Sequence, residues 1–109
     1  MKFTFELSVC VLGLAGLFTV SAWGGDSRAG QAVYDSKCKT CHAPDGSGNA
    51  NLAKAMKVDI QPLGSSEVQS KSDADLKKVV TAGQGKMKPV VVSGADLENV
   101  VAFVRTLKK

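Results

Sequence analysis

Cys38-Lys39-Thr40-Cys41-His42 sets two thiols three positions apart and places an imidazole directly after the second. That is the spacing by which haem is attached to a polypeptide. If the segment is helical, positions 38 and 41 share a face about one turn apart, and both sulfurs reach the vinyl groups on one side of a porphyrin. His42 then stands where its ring can bind the iron. A closed structural zinc site wants four ligands, and the chain has no other His and, besides Cys10, no other Cys. A redox dithiol of the thioredoxin kind opens a helix within alternating strands and helices, a pattern this sequence lacks. A structural disulfide leaves His42 without a role. One covalently attached haem c uses all three side chains; a redox dithiol and an incomplete metal site are its rivals.

Cys10 belongs to a different kind of segment. Lys2 is followed by an apolar run from Leu7 to Val20, and Ser21 and Ala22 then supply the small residues that a signal peptidase reads. Residues 1–22 are therefore expected to be a secretory signal and residues 23–109 the mature domain. Glu6 cancels the charge of Lys2 and weakens the leader, which leaves an uncleaved anchor as the alternative, although the run is short for a membrane span. Leu7-Ser8-Val9-Cys10 precedes the apolar run instead of ending it, which argues against a lipid-attachment box. The remaining single domain is small for a core built only from side chains, and a buried macrocycle would complete that core. Export, to the periplasm or beyond, also delivers the thiols to a compartment outside the cytosol where this attachment is made.

The rest of the chain reads as helices separated by glycine-rich loops. Asp26 or Ser27 caps a first helix in which Gly30, Val33, Tyr34, Cys38 and Cys41 keep helical spacing. Residues 43–49, rich in Gly, Pro, Asp and Ser, form a loop. Asn51 to Val58 is expected to be a short helix that ends before Pro62. Ser72-Asp73-Ala74-Asp75 is a variant capping box ahead of the Leu76, Val79, Val80 stripe, which stops at Gly83. Ser93-Gly94-Ala95-Asp96 repeats the start signal before Leu97, Val100, Val101, Val104 and Leu107, with Lys108 and Lys109 at the negative end of the helix dipole. Val90-Val91-Val92 favours extended backbone but is too short for a sheet.

With these residues in place the chain resembles the class I single-haem cytochromes c, small exported electron carriers. The likeness rests on Gly30 and Tyr34, on Cys38-Lys39-Thr40-Cys41-His42, on the loop glycines, on Gly83-Gln84-Gly85-Lys86-Met87, and on Val101-Ala102-Phe103-Val104. It implies an all-α cytochrome c fold, three to four helices wrapped around one covalent haem, with the first and last helices crossing where Gly30 and Tyr34 meet Phe103. It also implies a late methionine as second axial ligand. Met87 lies between two helices after a glycine-rich approach, whereas Met56 stands in helical context suited to packing. Lys88 departs from the family's habit of placing proline directly after that methionine. A backbone carbonyl normally orients the proximal histidine in this family, and Pro62 is the expected donor of that carbonyl.

Six ligands on iron leave no place for a substrate, so the expected function is a one-electron carrier with His42 and Met87 as axial ligands, not an enzyme. The alternatives are a haem enzyme or small-molecule sensor with a displaceable distal ligand, and a cytochrome subunit of a larger oxidoreductase. The formal charge of +4 survives loss of the leader, because Lys2 and Glu6 leave together. Lys37, Lys39, Lys54, Lys57, Lys86 and Lys88 flank the expected haem-facing segments and would steer a monomer onto redox partner proteins with acidic docking surfaces. No small-molecule substrate is expected, and a membrane would be met only through such a partner or an uncleaved leader. The chain lacks the basic run and interleaved aromatics of a nucleic-acid binder.

Overall fold

The structure, a computed structural model, describes residues 25–109. The expected leader at 1–22, with Cys10, lies outside the described residues. Among the described residues six helices succeed one another in order: α1 Ser27–Lys37, α2 Lys39–His42, α3 Ala50–Met56, α4 Ser66–Gln69, α5 Asp73–Ala82 and α6 Gly94–Thr106. Four longer helices carry the fold, and α2 and α4 are single turns.

α1 starts where Asp26 Oδ1 accepts from the amides of Arg28 and Ala29 at 2.9 and 3.4 Å, satisfying donors that a helix start otherwise leaves open. Its buried residues are Gly30 and Tyr34, one turn apart. They meet α6, whose Val100, Val101 and Phe103 are buried. A Cβ on Gly30 would stand 1.8 Å from the Asn99 carbonyl oxygen, so the crossing exists only because position 30 has no side chain. Next to it the Tyr34 and Phe103 rings stack tilted by 52° with centroids 4.9 Å apart, within the range where aromatic pairs attract beyond their buried area. Asn99 Oδ1 accepts the Asp26 amide at 2.8 Å and locks the start of α1 to α6.

The buried cluster joins Tyr34, Val100, Val101 and Phe103 to Val68 of α4 and Leu76 of α5. Gln69 ties α4 in place by donating from Nε2 to the carbonyls of Leu63 at 2.8 Å and Val104 at 3.0 Å. The Arg105 guanidinium then fastens α6 to the start of α5 through Asp73 Oδ1 and the carbonyls of Gln69 and Lys71. α5 runs as its sequence signals require: Ser72 Oγ accepts the Asp75 amide at 3.1 Å, and Gly83, at φ +78°, ends the helix.

Three local expectations need correction. The helical spacing through Cys41 does not give one continuous helix: α1 ends at Lys37, and Cys38, at φ −122°, serves as its C-cap and as the N-cap of α2. The amide of Cys38 still reaches Tyr34 O at 2.8 Å, and those of Cys41 and His42 reach Cys38 O at 3.3 and 3.0 Å, so helical bonds resume on the far side of the break. Second, α4 adds a turn that the sequence pattern does not signal, because its four residues present one buried apolar side chain, Val68. Third, Ser93 occupies the N-cap of α6 but its side chain makes no capping bond.

Candidate haem site

The break at Cys38 puts Cys41 and His42 on the short α2 turn and Cys38 at its N-cap, with Cys38 half-buried, Cys41 exposed and His42 half-buried. Both cysteines are free thiols. Burial pushes the Cys38 thiol above its usual pKa, with the nearby Lys37 ammonium opposing. Burial also holds the His42 imidazole below its usual pKa, which favours the neutral ring that ligates metals. His42 Nδ1 is buried without a hydrogen-bond partner.

The loop after α2 holds the end of that turn in place. Ala43, at φ +65° and ψ 163°, takes backbone angles that suit glycine, and two bonds hold it there. Its amide donates to Lys39 O at 2.8 Å, and its carbonyl accepts from the hydroxyl of the fully buried Tyr34. The loop then folds back: Gly48 N donates to His42 O at 2.8 Å and Asn49 N to Cys41 O at 2.9 Å. Asn49 also donates from Nδ2 to Thr40 O at 3.1 Å and accepts the Leu52 amide at 3.1 Å, capping α3. One residue therefore joins the two-thiol turn to the next helix.

Met87 lies after α5 in a tight turn. Gln84 N donates to Met87 O at 3.0 Å and Met87 N to Gln84 O at 2.9 Å. Gly85, at φ +56°, supplies the left-handed first central residue. Gly83 is equally constrained, since a Cβ there would stand 2.6 Å from Met87 O. Val90 N returns to Val80 O at 2.8 Å and closes the loop on α5. Lys86 Nζ donates to Met56 O at 2.6 Å, which brings the two candidate methionine segments together.

The expected bond from His42 to the Pro62 carbonyl is not made here. Pro62 O accepts the Ser65 amide at 3.1 Å at the approach to α4. Sequence reasoning also passed over Asn49 and the Tyr34 hydroxyl. The first was legible as a capping residue after Gly48; the second needed the fold.

These residues fit a haem. Leu52, Met56, Val58, Ile60, Val79, Val80, Met87 and Val90 are each half-buried, yet they are not among the side chains packed against the buried cluster. They leave apolar side chains on α3, on α5 and around the Met87 turn short of full burial, the kind of surface that a flat apolar group can cover. Among the described residues no three His, Cys, Asp or Glu side chains converge as ligands for a bare metal ion. A haem brings its own equatorial nitrogens and asks the protein only for axial donors and two thiols.

An all-α shell around a two-cysteine, one-histidine turn defines a c-type haem protein. Known proteins agree with that reading. Residues 25–104 match the family described as "Cytochrome C oxidase, cbb3-type, subunit III". The chain is 33% identical over 110 residues to cytochrome c6 of Picosynechococcus sp., covering 95% of this chain and 92% of that protein. It is 31% identical over 90 residues to cytochrome c-554(547) of Halothiobacillus neapolitanus, covering 77% of this chain and 99% of that one. The solved structure titled "KustC0563 c-type cytochrome" aligns with a TM-score of 0.62 at 25% identity, over 73% of this chain and 98% of that one. The chain belongs to this c-type cytochrome family: it is a small electron-transfer protein, not an enzyme, with covalently bound haem c.

Proposed function

We propose that the mature protein begins near Trp23, is exported to the periplasm or beyond, and carries single electrons between partner proteins as a monomer. Its haem would be held by thioethers to Cys38 and Cys41, with His42 and Met87 as axial ligands. The observation that carries this reading is the turn at residues 38–42, where two free thiols and a partly buried imidazole stand within five residues. The match to cytochrome c6 and cytochrome c-554(547) over 92% and 99% of their lengths supports a carrier, while the description of the matched family, an oxidase subunit, supports a cytochrome subunit as the second reading.

The bound haem supplies a reversible one-electron centre, taking an electron from a reduced donor and giving it to an oxidised acceptor. The chain's part is to hold still. Tyr34 holds Ala43 at the C-cap of α2, Asn49 holds the Thr40 and Cys41 carbonyls of the turn, and a methionine thioether in apolar surroundings favours the reduced iron. Lys37, Lys39, Lys54, Lys57, Lys86 and Lys88 are all exposed, and none forms an ion pair among the described residues, where the pairs are Lys77 with Glu98 and Arg105 with Asp73. Unneutralised, they are available to steer an acidic partner, and exchange with such a partner should slow as salt is raised.

Mass spectrometry of the denatured wild type tests the attachment: the haem mass stays with the polypeptide, and Cys38→Ser with Cys41→Ser abolishes it. Extraction of the haem into acidified organic solvent from the wild type would refute the thioether assignment. The same spectra read the N-terminus; mature material retaining residues 1–20 would replace a cleaved leader with an anchor.

A further inference from the structure

Among the six lysines that flank the proposed haem-facing segments, Lys86 alone donates a side-chain hydrogen bond to another described element, from Nζ to Met56 O thirty positions away. Both ends of that bond are placed by local structure. Met56 is the last residue of α3, and Lys57, at φ +54°, turns the chain so that its amide serves Ala53 O and Lys54 O. The Met56 carbonyl is then among the terminal acceptors that a helix cannot satisfy internally, at the end where a cation is favoured. Lys86 is the second central residue of the Gln84–Met87 turn, directly before Met87. The turn is attached to α5 through the chain at Gly83 and through the Val90 to Val80 bond. Its polar tie to α3 is Lys86.

We propose that Lys86 is a positioning residue: it tethers the turn carrying Met87 to the end of α3 and so restricts departure of the methionine from the iron. This rests on Met87 being the distal ligand, as proposed above. It assigns Lys86 a structural task distinct from that of Lys88, which has the same charge two positions on and no such bond. Replacing Lys86 therefore frees the turn, while replacing Lys88 removes an equal charge and leaves the turn held.

The test compares Lys86→Met, Lys88→Met and Lys86→Arg in the haem-loaded ferrous protein by two readouts. Amide hydrogen exchange at Gln84 and Met87, the two donors of the turn, should quicken several-fold in Lys86→Met and stay at the wild-type rate in Lys88→Met. Carbon monoxide should bind several-fold faster in Lys86→Met alone, and Lys86→Arg, whose guanidinium also reaches a carbonyl, should restore both. Equal exchange rates in the Lys86→Met and Lys88→Met proteins would overturn the tether. A wild type that takes up carbon monoxide as readily as Met87→Ala overturns the distal assignment instead, and the exchange comparison still decides the tether.

Discussion

Gly30 lies so close to Asn99 that the two helices touch backbone to backbone: a Cβ at position 30 would sit 1.8 Å from the Asn99 carbonyl oxygen and 2.4 Å from its carbon. Backbone cannot step aside as a flexible side chain does, so Gly30→Ala must push α1 off α6 and separate Tyr34 from Phe103. The expected loss is about 3 kcal/mol, at the upper end for overpacking. Gly85 gives the contrast. It is left-handed at φ +56° but a Cβ there meets nothing within 4 Å, so Gly85→Ala should cost only the conformational strain, roughly 1–2 kcal/mol. Denaturant midpoints of the two haem-loaded variants measure the difference, and equal losses would mean that the crossing tolerates a methyl group.

Tyr34 predicts an alkaline weakness. Its phenol is pushed up from 10.0 to about 12, by burial first and by neighbouring acidic groups after it. Below pH 10 both folded and unfolded chains keep the proton. Between 10 and about 12 the unfolded chain loses it while the folded one holds it, so stability falls as pH rises through that window, by on the order of 2–3 kcal/mol. Tyr34→Phe lacks this slope. It should be less stable than wild type by about 1 kcal/mol at neutral pH, from the lost bond to Ala43, and its deficit should shrink or reverse as pH rises. Unfolding curves across the window check this; a constant deficit would show that the hydroxyl titrates normally.

Asn49 separates capping from stapling. Asn49→Asp keeps an oxygen for the Leu52 amide but sets a carboxylate against the Thr40 carbonyl, where Nδ2 now donates. Asn49→Ala loses both bonds, with about 1 kcal/mol expected for the cap and about another for the bond to Thr40. Denaturant unfolding should therefore rank wild type above both variants. If Asn49→Asp matches wild type, the link from α2 to α3 contributes nothing beyond the cap.

The residues that could be read in advance are those whose task is local. Ser72 and Gly83 bound α5, and Asp26 starts α1, because capping depends on neighbours within a few positions. The two thiols and His42 were legible for the same reason, since their spacing is itself the chemistry. The bend at Cys38 was hidden by an apolar period that runs through it unbroken. α4 was hidden by its brevity and by the turn residues before it. The Lys86 bond to Met56 and the Tyr34 bond to Ala43 join positions thirty and nine apart that only the folded chain brings together, and no local pattern encodes them. The role of the Pro62 carbonyl toward His42 is what the family likeness implies, and no local pattern around Pro62 or His42 encodes it.

The distal ligand is the assignment on which carrier and sensor divide. Met87 and Met56 are both half-buried, and the Lys86 bond draws their segments together, so proximity alone does not choose between them. Backbone does. Met87 sits in a turn fixed by two bonds to Gln84 and cleared by Gly83, where a Cβ would strike Met87 O. Met56 closes α3 and offers its carbonyl, not its side chain, to Lys86. Met87→Ala should therefore abolish the methionine-to-ferric-iron charge-transfer band, lower the reduction potential and admit carbon monoxide to the ferrous iron. Met56→Ala keeps the carbonyl that Lys86 uses and should keep band and potential, losing at most roughly 2 kcal/mol because the side chain is only half-buried. Visible spectra and redox titration of the two variants read the outcome. The reverse pattern would move the ligand to α3, and two silent substitutions would leave the iron without methionine and put the sensor ahead of the carrier.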